Sequence, residues 1–179
     1  MGGLPQDAIL NLKNTSHSIT AEIVTPDDHA NGVLLGQGGT QNGWALYLKD
    51  GKLKYGYNYA MLKETSFTTT DPVSRGSHQV RMEFAYDGGG LGKGANVTLY
   101  VDGKKGGDGR LDATIPFTFG SEDRSEVGKN PGSPVIPDDY KAGSAFNGRV
   151  NWVVVETGDV SQSKLITPQQ ASEYHLIQR

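Results

Sequence analysis

The sequence contains no cysteine among its 179 residues. This absence excludes disulfide bridges, thiolate metal ligands and a cysteine nucleophile, and it fits a reducing as well as an oxidising compartment. The formal net charge of −3 is too small to indicate a nucleic-acid partner or an anionic membrane surface. No apolar run approaches the roughly 20 residues that a membrane-spanning helix requires. We therefore expect neither nucleic acid nor a membrane span among its interactions.

Glycine, in contrast, is abundant at 25 residues, about twice its average share of roughly 7%. Between the glycines, apolar and polar side chains alternate with period two, as in residues 79–86 and 97–101. Asp50-Gly51 and Asp102-Gly103 have the composition of tight hairpin turns. Ten or more such short segments predict an all-β fold, a two-sheet antiparallel β-sandwich of the concanavalin A-like jelly-roll type.

The domain organisation follows from where this alternation begins and ends. We expect a disordered lead-in over residues 1–7, the sandwich over residues 8–157, and a polar tail over residues 158–179. Within the sandwich, residues 8–13 and 115–119 are each predicted to be a strand. Thr167-Pro168 in the tail resembles a helix start, with threonine as N-cap and proline at the first helical position, and predicts a short C-terminal helix.

No catalytic motif is present in the sequence. The glycine run at residues 87–94 fails as a phosphate-binding loop, because Gly92-Lys93 is followed by Gly94 rather than by serine or threonine. The four histidines are scattered without metal-ligand spacing. Glu122, Asp123 and Glu126 do not alternate on one strand face as the carboxylates of sandwich-fold glycanases do, so a solvated acidic loop is favoured over a glycosidase site.

Two sets of residues are candidates for binding. Trp44, Tyr55, Tyr57 and Tyr59 could stack on sugar rings if they face solvent, and as an alternating stripe they could equally form one wall of the core. The long loop at residues 126–140 offers oxygen ligands of the kind that Ca²⁺ prefers, with ordinary polar loop residues as the alternative. The members of this calcium set are Glu126, Asn130, Asp138 and Asp139.

Several segments together resemble the C-terminal domain of bacterial arylsulfatases, a concanavalin A/laminin G-like sandwich that follows the catalytic domain. They occur in the order HSITAEIVTP, NGWALYLKDGKLKYGYN, HQVRMEFAYDGGGLGKGANVTLYVDGKKGGDGRL, EVGKNPGSPVIPDDY and FNGRV. The resemblance covers residues 9–156, and YDGGGLGKGA followed by TLYVDGK is its most specific part. In relatives the loop carries aspartate where this sequence has Asn130, a departure that weakens the calcium interpretation.

The resemblance implies a non-catalytic accessory domain with a sulfatase catalytic domain as its partner and a periplasmic or secreted location. It transfers no catalytic residue, because formylglycine and the catalytic Ca²⁺ belong to the other domain. Three hypotheses follow: this accessory role, a carbohydrate-binding module for a neutral or sulfated glycan, and a sandwich-fold glycan hydrolase. The residues alone predict no certain cofactor.

Overall fold

The computed structural model of the chain describes residues 11–119, 125–130, 132–160 and 165–173. These residues form nine β-strands and one short helix. In chain order they are β1 (His17–Thr25), β2 (Gly32–Gly38), β3 (Gly43–Lys49), β4 (Lys52–Tyr59), β5 (Lys63–Thr68), β6 (Gly76–Tyr86), β7 (Ala95–Val101), β8 (Lys104–Leu111), β9 (Arg149–Thr157) and α1 (Pro168–Glu173). No helix among them is long and apolar enough to cross a membrane.

The strands form two antiparallel sheets, which confirms the predicted fold class. One sheet has five strands in the order β8-β7-β6-β1-β9, and the other has four in the order β2-β3-β4-β5. Both Asp-Gly pairs turn hairpins in the left-handed region, with φ of 49° and 81° at Asp50-Gly51 and of 50° and 79° at Asp102-Gly103. This is the geometry that joins twisted strands without splaying them.

The core lies between the sheets and is built from the alternating side chains that the sequence indicates. Trp44 and Tyr55 of the four-stranded sheet are fully buried, and Tyr55 meets Phe84 of the five-stranded sheet edge to face, with centroids 6.4 Å apart. Ile19, Met82 and Leu99 from the central strands are also fully buried. Burial of this apolar surface is the main term that stabilises the sandwich.

The prediction of a strand over residues 115–119 is wrong, because this segment crosses the end of the sandwich without joining a ladder. Side chains bind its backbone instead: the Ile115 amide donates to the Tyr57 hydroxyl at 2.8 Å, and the Asn14 amide donates to the Pro116 carbonyl at 2.9 Å. Pro116 has no N–H to give a ladder. Residues 11–13 of the other predicted strand are also irregular, and residues 8–10 lie outside the described residues.

Two segments cover the outer faces of the sheets. Val135, Ile136 and Tyr140 from the long loop pack on Tyr47 and its neighbours on the four-stranded sheet. On the five-stranded sheet, Ala171 of α1 packs against Trp152 and Val154. The predicted helix start is confirmed, since Gln170 N donates to Thr167 Oγ1 at 3.2 Å and Thr167 N donates to Gln170 Oε1 at 3.0 Å.

Candidate functional site

The two sheets approach closely where their edge strands β5 and β8 run beside each other. The inward positions of β8 are Gly107 and Gly109, which pair with Leu99 and Val97 of β7. A Cβ atom at Gly109 would lie 2.1 Å from Cδ1 of Phe67, and one at Gly107 would lie 2.6 Å from the Thr68 carbonyl oxygen. Only glycine permits this approach, which closes this side of the sandwich.

The next inward position of β8 is Leu111, a full-sized side chain in place of the glycines, and it is 4% exposed. A cleft of about 210 Å³ opens there between the ends of β5 and β8. This volume is smaller than the roughly 300–1,000 Å³ typical of pockets for drug-sized ligands, so the cleft suits a small group. We refer to it as the edge cleft, and its lining consists of Tyr57, Tyr59, Lys63, Thr65, Leu111, Asp112 and Ala113.

Two tyrosines from β4, Tyr57 and Tyr59, contribute aromatic surface to the lining of the edge cleft. Tyr57 is 3% exposed, and its hydroxyl is held by the Ile115 amide, so the ring is fixed. Burial raises the pKa of Tyr57 far above its ordinary value, which keeps the hydroxyl neutral. Tyr59 is half-buried and packs against the edge of the core, leaving part of its ring open to the cleft.

The rim of the edge cleft carries polar groups. Lys63 Nζ lies 3.2 Å from Asp112 Oδ2, and the two side chains are 63% and 78% exposed. An ion pair this exposed contributes little to stability, so either group can exchange its partner for a ligand at small cost. Thr65 adds a hydroxyl that can donate or accept. The cleft therefore offers aromatic surface and three kinds of hydrogen-bonding group within one space.

The turn beside this rim is conformationally costly. Ala60 and Met61 both adopt left-handed backbone geometry, with φ of 50° and 58°, although neither is glycine. Met61 and the following Leu62 are 67% and 81% exposed. A hairpin turn of this type favours Asn-Gly, so Ala60 and Met61 adopt a backbone conformation that is unfavourable for their residue types. The same turn presents apolar side chains beside the cleft. Strain of this kind concentrates at functional sites.

Replacing Ala60-Met61 by Asn-Gly is expected to raise the free energy of unfolding by about 1–2 kcal/mol, because both residues then suit the left-handed region. Urea denaturation measures the change. The Met61 amide, which donates to Asn58 Oδ1 at 3.0 Å, is retained. Leu62→Ala removes apolar surface from the same turn without altering its backbone, and should leave stability unchanged. Equal stability of the Asn-Gly variant and the wild type would show that the backbone at Ala60 and Met61 is not strained.

The structure divides the predicted sugar-stacking residues. Trp44, Tyr55 and Tyr57 face the core and are at most 3% exposed, so the core-wall alternative describes them, although Tyr57 also contributes to the lining of the edge cleft. Trp44 stacks on Tyr55 with centroids 6.3 Å apart. Tyr59, at the end of the stripe, reaches the edge cleft. Lys63, Thr65 and Asp112 also line the cleft, and no sequence motif marks any of the three.

The predicted calcium set does not converge on one point. Asn130 is 4% exposed and donates its amide to the carbonyls of Gly132 and Ser133 at 2.8 and 3.0 Å. Asp139 pairs with Lys54 Nζ at 2.5 Å and accepts from the Tyr47 hydroxyl. Although burial alone would raise the pKa of Asp139, these two partners lower it.

Of the other two members of the calcium set, Asp138 is exposed, and Glu126 forms an isolated antiparallel bridge with Lys129. Within the described residues no three acidic or histidine side chains are placed to hold a metal ion. Glu122 and Asp123 of the glycanase comparison lie outside those residues.

No protein-family model matches the sequence, and no curated protein matches it. Solved structures do match. Domains LG4-5 of the mouse laminin α1 chain give a TM-score of 0.55 at 17% identity, over 90% of this chain and 41% of that one. The CBM40 of Ruminococcus gnavus IT-sialidase bound to α2,6 sialyllactose gives 0.55 at 15% identity, over 89% and 82%. Leech intramolecular trans-sialidase gives 0.53 at 13% identity, over 96% and 25%.

At these identities the likeness shows the fold alone. The chain has the laminin G-like jelly roll shared by these proteins, and it spans less than half the length of the laminin and trans-sialidase chains. The expected concanavalin A/laminin G-like architecture is thus confirmed, whereas nothing in the comparisons links the chain to arylsulfatases.

Proposed function

We propose that the protein is a carbohydrate-binding module and that the edge cleft is its site. The observation that carries this proposal is the combination of a partly open tyrosine ring with an exposed lysine–aspartate pair in one cleft. Two further points support it. A carbohydrate-binding module bound to α2,6 sialyllactose has the same fold over most of its length, and the cleft, at about 210 Å³, has room for a small group such as a single sugar ring.

Binding would use the two faces of a sugar ring separately. The C–H face of a pyranose is apolar and packs on the open part of the Tyr59 ring, as aromatic side chains pack on other apolar surfaces. The hydroxyls then turn toward Lys63, Asp112 and Thr65 at the rim. Charge-assisted hydrogen bonds to the two ionised groups are the stronger ones and fix the orientation of the ring.

Tyr59→Ala is expected to weaken glycan binding at least tenfold, about 1.4 kcal/mol, because the stacking surface is lost. A printed array of neutral, sialylated and sulfated oligosaccharides identifies ligands, and titration calorimetry with the strongest of them measures the loss. Tyr100→Ala is the matched control, since Tyr100 is also half-buried but lies on β7 outside the cleft. Equal losses in both variants, or no array signal for the wild type, would contradict the proposal.

A second candidate is the accessory role that the arylsulfatase resemblance implies. It is favoured by exposed apolar side chains on three connections at one end of the sandwich, where large apolar surface is typical of a partner interface. Met61, Leu62, Leu91 and Phe117 are 61–81% exposed there. The complete reading frame tests this candidate: an adjoining sulfatase catalytic domain would support it, and its absence would remove it.

A further inference from the structure

We infer that the edge cleft binds a neutral sugar ring through two adjacent hydroxyls and rejects sialylated or sulfated rings. The inference rests on the proposed function of the same site and specifies its ligand class. It is carried by the charges that line the cleft, by the distance between them, and by the absence of a cation without a counter-charge from the described residues of the lining.

The described residues of the lining include one cation and one anion, Lys63 and Asp112, and their charges cancel. The neighbouring Glu64 pairs with Asn58 in the ladder and points to the opposite face of the sheet. Arg110, next to Leu111 on β8, is engaged by both carboxylate oxygens of Asp87, at 2.9 and 2.5 Å. Among the described lining residues, therefore, Lys63 is the cation that a ligand carboxylate or sulfate could approach. Such a ligand would also come close to the negative charge of Asp112.

The geometry of the pair suits a vicinal diol. Lys63 Nζ and Asp112 Oδ2 are 3.2 Å apart, which places a donor beside an acceptor at the spacing of a single hydrogen bond. One ring hydroxyl accepts from the ammonium group while its neighbour donates to the carboxylate, and neither charge loses its compensation. Lysine has only donors and an ionised carboxylate only acceptors, so the two roles cannot be exchanged.

Asp112 is the element that selects against acidic sugars. Its carboxylate accepts from a hydroxyl but repels a ligand carboxylate or sulfate that approaches Lys63, and specificity often depends on such a repulsive group. A neutral sugar forms no ion pair with the cleft, so the affinity for it should be nearly the same between about 0.05 and 0.5 M NaCl.

The test uses the array with matched pairs, each a neutral oligosaccharide and the same oligosaccharide bearing a sulfate or a sialic acid on the ring that binds. Wild type should prefer the neutral member at least tenfold. Asp112→Asn should weaken neutral binding and raise binding of the acidic member at least tenfold, because Lys63 is then uncompensated. Lys63→Gln should weaken neutral binding without any gain for acidic glycans. Lys105→Gln, which breaks another exposed ion pair on β8 outside the cleft, should change neither.

The outcomes separate the inference from the proposed function. Preference for acidic glycans that still depends on Tyr59 would overturn the inference and leave the carbohydrate-binding proposal standing. Neutral binding that persists at full strength in both Asp112→Asn and Lys63→Gln would overturn the diol assignment. No binding to any glycan would overturn both.

Discussion

Gly109→Ala is expected to lower the free energy of unfolding by about 2–3 kcal/mol, the cost of forcing an extra carbon into a packed interior. The new Cβ would lie 2.1 and 2.2 Å from two ring carbons of Phe67, which is 8% exposed and has little room to move. Relief requires β5 and β8 to separate, and that separation also widens the edge cleft. Urea denaturation and glycan titration of the same variant should therefore both show a loss.

Gly88→Ala is the control for this substitution. Nothing lies within 4 Å of a Cβ at Gly88, whose φ is +75°, so only the left-handed backbone disfavours alanine there. The expected cost is about 1 kcal/mol, with no effect on glycan titration. If Gly109→Ala were as mild as this control, the close approach of β5 and β8 would not be what closes this side of the sandwich.

Stability is expected to fall by about 3 kcal/mol between pH 6.5 and pH 4 because of one histidine. His17 is 2% exposed and stacks on Phe84 with centroids 4.5 Å apart. Its Nδ1 lies 3.0 Å from the Thr15 carbonyl oxygen and so carries the ring proton of the neutral form. Nε2 is buried and has no hydrogen-bond partner among the residues that the structure describes. Burial therefore lowers the pKa of His17 from 6.5 to about 4 in the folded protein.

The direction follows from proton linkage. Above pH 6.5 His17 is neutral in both states, and stability is at its full value. As the pH falls below 6.5, His17 becomes protonated in the unfolded chain but stays neutral in the folded protein. Stability therefore drops until the pH reaches the folded pKa of His17, about 4. Each unit by which the folded and unfolded pKa values of His17 differ corresponds to about 1.36 kcal/mol of stability, which gives the expected loss of about 3 kcal/mol.

Denaturation series at several pH values measure this decline. His17→Leu should abolish most of the slope between pH 6.5 and pH 4, whereas His29→Gln, at an exposed position, should keep it. Asp139, whose pKa is lowered from 3.8, affects only the more acidic range. An unchanged slope in His17→Leu would mean that His17 is not held neutral by burial.

The fold could be predicted from the sequence because its determinants are local. Period-two alternation marks the buried face of each strand, Asp50-Gly51 and Asp102-Gly103 fix two hairpins, and Thr167-Pro168 marks the helix start. Residues 115–119 also alternate, but Pro116 and the side chains of Tyr57 and Asn14 take their backbone out of any ladder. Those partners are distant in sequence, so no local pattern reveals them.

The site was less predictable from the sequence, again because its residues are brought together by contacts between distant parts of the chain. A stripe of aromatic residues on one strand has the same spacing whether it faces the core or a ligand, and what separates Tyr55 from Tyr59 is where the sheets diverge. Lys63 and Asp112 are 49 residues apart and meet only because β5 and β8 are both edge strands on the same side of the sandwich. Asp112 belongs to no motif that could have marked it.

The most direct test of this account is an amide NMR titration of the full chain with the neutral oligosaccharide that binds most strongly on the array. We expect the largest changes in chemical shift on the lining of the edge cleft, at Tyr59, Lys63, Thr65, Asp112 and Ala113, and we expect them to vanish in Tyr59→Ala. Saturable shifts confined to the long loop or to the outer face of the five-stranded sheet would contradict it.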